Sequence, residues 1–61
     1  MSILSYRLED LKDVLVKEGY KAFSASQILD WIYKKGASSF DEMTNLSIDL
    51  RDFLKKNYSL F

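Results

Sequence analysis

Asp41 and Glu42 are neighbouring carboxylates, side chains that could act in general acid–base catalysis or hold a metal ion. Neighbouring side chains on a helical turn point about 100° apart, so these two carboxylates do not converge on one site. Acidic side chains in the first turn of a helix are instead stabilised by the helix dipole. We therefore predict that both residues mark the start of a helical turn.

Nucleophilic and metal-dependent chemistry lacks its usual residues in this chain. None of the 61 residues is cysteine or histidine, which excludes a thiolate metal site, a thiol nucleophile and a serine activated by histidine. We predict no catalytic and no metal-binding residue. The serines are expected to be caps or turn residues at four positions, Ser24, Ser38, Ser39 and Ser47.

Size and charge restrict the remaining function classes. A chain of 61 residues, 48% of them hydrophobic, is expected to form one small domain. Nine basic and nine acidic residues cancel, so any binding to nucleic acid must rest on a local patch. The apolar residues are scattered rather than continuous, so we expect no membrane span, no secretory signal and no membrane partner. We expect a cytoplasmic monomer.

The charges are distributed unevenly along the chain. Between residues 19 and 40 the charged side chains are Lys21, Lys34 and Lys35 against Asp30 alone. Between residues 41 and 52, the charged side chains are four acidic residues and a single arginine. A few unpaired lysines are common on any helix surface, so an ordinary solvated face and a basic binding face both remain open.

The elements that must position these groups are helices. Apolar residues at spacings of three and four predict a first helix from Leu8 to Glu18, a second from Ala25 to Lys35 and a last from Ile48 to Asn57. A single turn is predicted from Phe40 to Met43. The fold class is therefore predicted to be all-α, a small bundle of three main helices plus a short helical turn.

The second helix has two signals at its start. Ser24 and Gln27 have the spacing of a capping box, and Phe23 and Ile28 have the spacing of a hydrophobic staple. Trp31 follows on the same apolar stripe as Ile28, which favours packing in the core over stacking on a base.

The last residues differ from the helices. Tyr58, Leu60 and Phe61 alternate with Ser59, which is typical of an extended segment. We expect the helical domain to span residues 1–57 and an apolar, exposed tail over 58–61 to begin a connection to a further domain.

One long stretch supports a family assignment. Residues 23–50 read FSASQILDWIYKKGASSFDEMTNLSIDL, and this resembles the N-terminal region of the radical-SAM adenine methyltransferases that modify ribosomal and transfer RNA, the RlmN/Cfr family. The family pattern is F-R-A-x-Q-I, then W-I-Y-x-K-G, then F-x-x-M-T-N-L-S. The match runs without gaps over nearly half of the chain.

The resemblance implies a helical accessory domain, similar to a helix-hairpin-helix, that precedes a catalytic barrel and helps to hold RNA. The implied partners are ribosomal RNA and transfer RNA. The barrel of the same chain would supply the iron–sulfur cluster and the S-adenosylmethionine site, and this chain would hold no cofactor. It would be catalytically silent alone.

The sequence departs from the family pattern at Ser24 and Ser26, where the family usually has arginine and often another charged residue. The remaining candidates for RNA contact are Lys21, Gln27, Tyr33, Lys34 and Lys35. Three lysines give a salt slope of at most about three, so binding by this domain is expected to be weak.

Two other function classes stay open at this point. The chain could be an intramolecular scaffold or protein-interaction module that docks through the surface around Trp31 or through the Leu60–Phe61 tail, without binding RNA. A DNA-binding domain is disfavoured because no helix carries a row of arginine, asparagine and glutamine suited to reading base edges.

Overall fold

Three α-helices joined by short turns form the protein, and the structure, a computed structural model, describes residues 2–60. The helices are α1 (Leu8–Lys17), α2 (Phe23–Tyr33) and α3 (Ile48–Asn57). Two short 3₁₀ turns lie at Ile3–Ser5 and Phe40–Glu42. No strand occurs within the described residues, where β-pairing is limited to an isolated bridge. The predicted small all-α bundle of three main helices is confirmed.

Helix α1 begins at the predicted residue and ends one residue early. Its apolar stripe buries Leu11 and Leu15 completely, while Lys17 lies in the last turn, where the helix dipole favours a cation. The chain then reverses at Gly19, whose φ of +89° is in the left-handed region. Glycine adopts that conformation without a steric penalty, which explains why the helix stops there.

Helix α2 starts two residues before the predicted start, so the predicted capping box at Ser24 and Gln27 is wrong. The Ser24 and Ala25 amides donate to the carbonyl oxygens of Lys21 and Ala22 at 3.1 Å each, which makes a tight turn leading into the helix. Ser24 is buried inside the first helical turn. Packing of this end against the core therefore outweighs the local capping signal.

The predicted hydrophobic staple is also absent. Phe23 is the first residue of α2 rather than the residue before its cap, and its side chain is 59% exposed. Ile28, its predicted partner, is fully buried in the core. The helix ends near Gly36, which has a φ of +65° as expected for a residue that stops a helix. The exposed Phe23 is thus left without the packing role that the sequence suggested.

The carboxylates at residues 41 and 42 start a helical turn, as predicted. Glu42 Oε2 accepts hydrogen bonds from the amides of Ser38 and Ser39 at 2.7 and 2.9 Å, and from the Ser38 hydroxyl at 2.7 Å. The bonds from Ser38, with a smaller contribution from Ser39, lower the pKa of the Glu42 carboxyl. Asp41 points to a different partner, Lys55, whose Nζ lies 2.9 Å from its Oδ1. The two carboxylates therefore form no common site.

Helix α3 agrees with the prediction at both ends. The Ser47 hydroxyl accepts a hydrogen bond from the Leu50 amide at 3.2 Å, which is the predicted N-cap. Lys55 and Lys56 occupy the last turn, where they face the negative end of the helix dipole.

The core lies where α1, α2 and α3 meet the two 3₁₀ turns. Trp31 and Ile32 pack against it while remaining half-exposed, which agrees with the prediction that Trp31 belongs to the apolar stripe. The fully or largely buried apolar side chains are Ile3, Leu11, Leu15, Ala25, Ile28, Ala37, Phe40, Met43, Leu46, Leu50, Leu54 and Leu60.

The C-terminal residues are extended, as predicted, but they are part of the packed body. The Ile3 amide donates to the Ser59 carbonyl oxygen at 2.8 Å, and Tyr58 packs edge-to-face on Tyr6 with ring centroids 5.3 Å apart. Leu60 is only 6% exposed, so its expected exposure is wrong. Phe61 lies outside the described residues. That residues 58–61 begin a connection to another domain stays a prediction.

Candidate nucleic-acid interface

The predicted RNA-binding residues fall into two groups at opposite ends of α2. Lys21 and Gln27 belong to its N-terminal end, while Tyr33, Lys34 and Lys35 follow at its C-terminal end. At a rise of 1.5 Å per residue, the 11 residues of α2 span about 15 Å from Phe23 to Tyr33. The structure therefore does not gather the five residues into one site.

A groove of about 370 Å³ lies at the N-terminal end of α2, where it faces the turn before α3. Lys21 and Gln27 both line it. The remaining wall is formed by Gly19, Tyr20, Phe23, Ser24, Asn45, Leu46, Ser47 and Leu50. No carboxylate side chain is among these residues, so Lys21 is the one charged group of the groove wall.

Two amide side chains line the groove, and they differ in how firmly they are held. Asn45 Oδ1 accepts a hydrogen bond from the Trp31 indole N–H at 2.7 Å, so the side chain of Asn45 is fixed by a residue that packs on the core. Gln27, half-buried in the second turn of α2, has no side-chain hydrogen bond within residues 2–60. Its amide is available to a ligand in the groove.

An aromatic ring at the groove was missed as a functional residue by the sequence reasoning. Phe23 lines the groove and exposes 59% of its surface. The Lys21 ammonium lies 5.7 Å from the centroid of the Phe23 ring, within the range of a weak cation–π contact. The signal that could have identified Phe23 is its position two residues after Lys21. The sequence pattern was instead interpreted as a staple between Phe23 and Ile28.

The C-terminal end of α2 has more cations, but these cations are engaged. Lys34 Nζ lies 3.6 Å from Asp30 Oδ1 one turn earlier, and Lys35 Nζ lies 4.2 Å from the centroid of the Trp31 ring. Tyr33 is 66% exposed and projects beside them. Exposed ion pairs are weak, about 0–1 kcal/mol, so a phosphate can displace Asp30 at small cost. This end offers charge and an aromatic ring.

Two carboxylates of the acidic segment share one lysine of α3. Lys55 Nζ contacts Asp41 at 2.9 Å and Asp52 at 3.6 Å. The hydrogen bond and the attraction from Asp41, supported by Asp52, raise the pKa of the Lys55 ammonium. Lys21, in contrast, has no ion pair within residues 2–60. A phosphate approaching Lys21 therefore meets no competing carboxylate on that side chain.

No group of three or more histidine, cysteine, aspartate or glutamate side chains in residues 2–60 is placed to hold a metal ion. An iron–sulfur cluster needs cysteine thiolates, and the sequence has none, so this chain does not fit such a cluster. None of the helices of residues 2–60 has the length and apolar character needed to cross a membrane.

Comparisons with known proteins agree on one family. Residues 1–60 match the family model described as "Ribosomal RNA large subunit methyltransferase N-terminal domain". The chain is 51% identical over 59 residues to a protein named "Probable dual-specificity RNA methyltransferase RlmN" from Staphylococcus carnosus, and equally to one of the same name from Bacillus velezensis. Each alignment covers 97% of this chain and 16% of the relative.

A solved structure gives the same assignment at the level of the fold. The crystal structure of a radical SAM methyltransferase from Sphaerobacter thermophilus superposes with a TM-score of 0.93 at 32% sequence identity. The superposition covers 98% of this chain and 18% of that protein. The chain thus spans about a sixth of the length of the relatives that it matches. It belongs to the family of ribosomal RNA large subunit methyltransferase N-terminal domains, as the resemblance to the RlmN/Cfr proteins indicated.

Proposed function

We propose that this chain is an RNA-positioning accessory domain of a radical-SAM methyltransferase that modifies adenine in ribosomal RNA, with transfer RNA as a further substrate. The observation that carries the proposal is Lys21, which has no ion pair in residues 2–60 and stands at a groove with two amide side chains and an exposed aromatic ring. Such a combination suits RNA, because its phosphates bind cations and its unpaired bases form hydrogen bonds with amides and stack on aromatic rings.

The chemistry would belong to the catalytic barrel of the same polypeptide, which would carry the iron–sulfur cluster and S-adenosylmethionine. Relatives named as RNA methyltransferases, and a solved neighbour titled a radical SAM methyltransferase, support this division. A cytoplasmic location and a monomeric state remain predictions of the same proposal.

Weak binding is sufficient for this role. Three lysines, each contributing a salt slope of about 0.7 on single-stranded RNA, give a total slope of about 2. A domain tethered to a second RNA-binding surface acts at a high effective concentration. Weak contacts on each of the two surfaces can therefore give the whole enzyme a high affinity for RNA. The two ends of α2 then serve as separate phosphate contacts along one RNA strand.

The salt dependence of binding provides the test. The labelled chain is titrated with an RNA stem-loop at about 50 and 200 mM salt, between which a slope of about 2 weakens binding about 20-fold. The variant with Lys21→Gln, Lys34→Gln and Lys35→Gln is expected to bind weakly and to lose most of that salt dependence. A matched variant, Lys12→Gln with Lys17→Gln and Lys56→Gln, removes the same charge elsewhere and should keep the slope.

Equal losses in the two triple variants would contradict the proposal, because binding would then follow overall charge. A complete lack of response to RNA would favour the scaffold alternative. Of the residues on which that alternative relied, Leu60 is buried, and Trp31, although half-exposed, donates its indole N–H to Asn45. No specific observation in residues 2–60 favours it over RNA binding.

A further inference from the structure

We propose that the groove at the N-terminal end of α2 holds a single unstacked base of single-stranded RNA, with Phe23 as the stacking platform. This inference rests on the proposed function and adds to it the place, the kind of ligand and the residues. Phe23 and Asn45 were not among the residues that the sequence suggested for RNA contact.

The dimensions of the groove suit one nucleotide. Its volume of about 370 Å³ lies at the lower end of the range of about 300–1,000 Å³ for small-molecule sites. A duplex would need a long flat surface or a helix row of base-reading side chains, and this groove provides neither. A base that has left its stack, in contrast, is small enough to enter and presents both a flat face and a polar edge.

The wall supplies a partner for each part of a nucleotide. The exposed Phe23 ring offers a face for the base, and Lys21, 5.7 Å from that ring, is placed to meet the adjoining phosphate. Gln27 and Asn45 carry amides that can donate to and accept from the edge of the base. Asn45 is held by its bond from Trp31, so it is oriented before a ligand arrives.

Charge and ion pairing distinguish this groove from three others on the surface. The groove along α1 is lined by Glu9 and Asp13 together with Lys12 and Lys17, and the groove beside α3 is lined by Asp49 and Asp52 together with Lys56. A third groove, lined by Phe40 and Tyr58, has Lys55 as its charged residue, but the Lys55 ammonium is already paired with Asp41 and Asp52. Carboxylates in or beside these three grooves repel a phosphate backbone, which makes the grooves less suited to RNA. The groove at Phe23 combines a cation, no carboxylate and an unpacked aromatic ring, and this combination favours RNA over an acidic or apolar peptide.

Nuclear magnetic resonance can locate the bound strand. The ¹³C,¹⁵N-labelled chain is titrated with a single-stranded hexaadenylate and, separately, with a blunt RNA duplex. The strand is expected to shift the side-chain amide signals of Gln27 and Asn45 and the ring signals of Phe23, whereas the duplex is expected to leave them nearly unchanged. Shifts of these side-chain signals do not depend on any substitution, so they remain informative whatever the variants do.

Substitution of the ring gives the second arm of the experiment. Phe23→Ala is expected to weaken hexaadenylate binding about 5- to 150-fold, the range that corresponds to the loss of one base stack. Phe23→Trp keeps a stacking face and should bind as well as the original chain. Val16→Ala shortens another exposed apolar side chain and is expected to leave binding unchanged.

The failures of the two proposals look different. If hexaadenylate shifts only signals near residues 33–36 and Phe23→Ala binds like Val16→Ala, the groove inference is overturned while the RNA-positioning role stands. If neither RNA shifts any signal, both are overturned. If the duplex shifts the groove amides as strongly as the single strand, the unstacked base is the wrong ligand.

Discussion

Leu60 provides a sharp test of how far the folded domain extends, because its burial contrasts with its place one residue from the end of the sequence. Replacing a buried leucine by alanine removes apolar contacts and leaves a cavity, which together destabilise a protein by about 2–5 kcal/mol. Domains of this size have about 3–5 kcal/mol of stability in total. Leu60→Ala is therefore expected to leave a domain that is partly unfolded at 25 °C.

Removal of residues 58–61 should have a larger effect, because three kinds of contact disappear together. Besides the Leu60 side chain, the chain loses the edge-to-face contact of Tyr58 with Tyr6, worth about 0.5–1.5 kcal/mol. It also loses the hydrogen bond from the Ile3 amide to Ser59, worth about 0.5–1.5 kcal/mol. Together these losses amount to about 3–8 kcal/mol, which equals or exceeds the expected stability, so most of the chain that ends at Asn57 should be unfolded.

The assay is urea unfolding followed by helical circular dichroism at 25 °C. Leu4→Ala is the matched control, because the same substitution at this exposed leucine should change the free energy of unfolding by no more than about 0.5 kcal/mol. A chain that ends at Asn57 and unfolds at the same urea concentration as the original would refute the reasoning. It would also support the prediction that the helical domain ends at residue 57.

Two further predictions concern pH. The pKa of Glu42 is lowered in the folded chain by its bonds from Ser38 and Ser39. The contribution of Glu42 to stability is therefore present above the unfolded pKa and is lost as pH falls through the folded pKa. In Glu42→Gln, the urea concentration at the midpoint of unfolding should fall less steeply as the solution is acidified. Burial, with a bond to Tyr6, raises the pKa of Tyr58 to about 12, so stability is complete below the unfolded value and is lost as pH rises from about 10 toward 12. Tyr58→Phe should remove that alkaline loss, and an unchanged alkaline limb would show that the Tyr58 hydroxyl is not its source.

The success of the sequence prediction at α3 has a local cause. Ser47 is followed by an acidic residue in the first turn and by apolar residues at helical spacing, and its hydroxyl caps the Leu50 amide as expected. Each signal there points to the same boundary. The glycines that end α1 and α2 are equally informative, since a positive φ at Gly19 and Gly36 leaves little choice of residue.

The failure at the start of α2 has a tertiary cause. Serine and glutamine three residues apart favour a cap at Ser24, but the depth at which Ser24 and Ala25 are buried shows that this turn packs against the core as regular helix. The helix then begins at Phe23 and turns that ring outward. Local spacing cannot reveal which side of a helix the rest of the chain covers, so the exposed ring and the groove beside it could not be predicted.

The N-terminal turn escaped prediction for a different reason. Ile3 is fully buried, yet the apolar pattern around it is too short to define a helix or a strand. Its burial depends on Ser59 and Leu60, which lie almost a whole chain length away. Likewise the bond between Trp31 and Asn45 joins residues whose approach is decided by the packing of the turn between α2 and α3.

The pairing of Ile3 with Ser59 has a consequence for the order of events during translation. Each helix has only 10 or 11 residues, which is shorter than the roughly 12–15 residues that an isolated helix needs for even marginal stability in water. The helices are therefore not expected to persist without tertiary packing. A nascent chain that has emerged only as far as Asn57 still lacks Ser59, whose carbonyl oxygen accepts the hydrogen bond from the Ile3 amide. We expect the domain to stay open on the ribosome until Leu60 leaves the exit tunnel, and to close in one step after that.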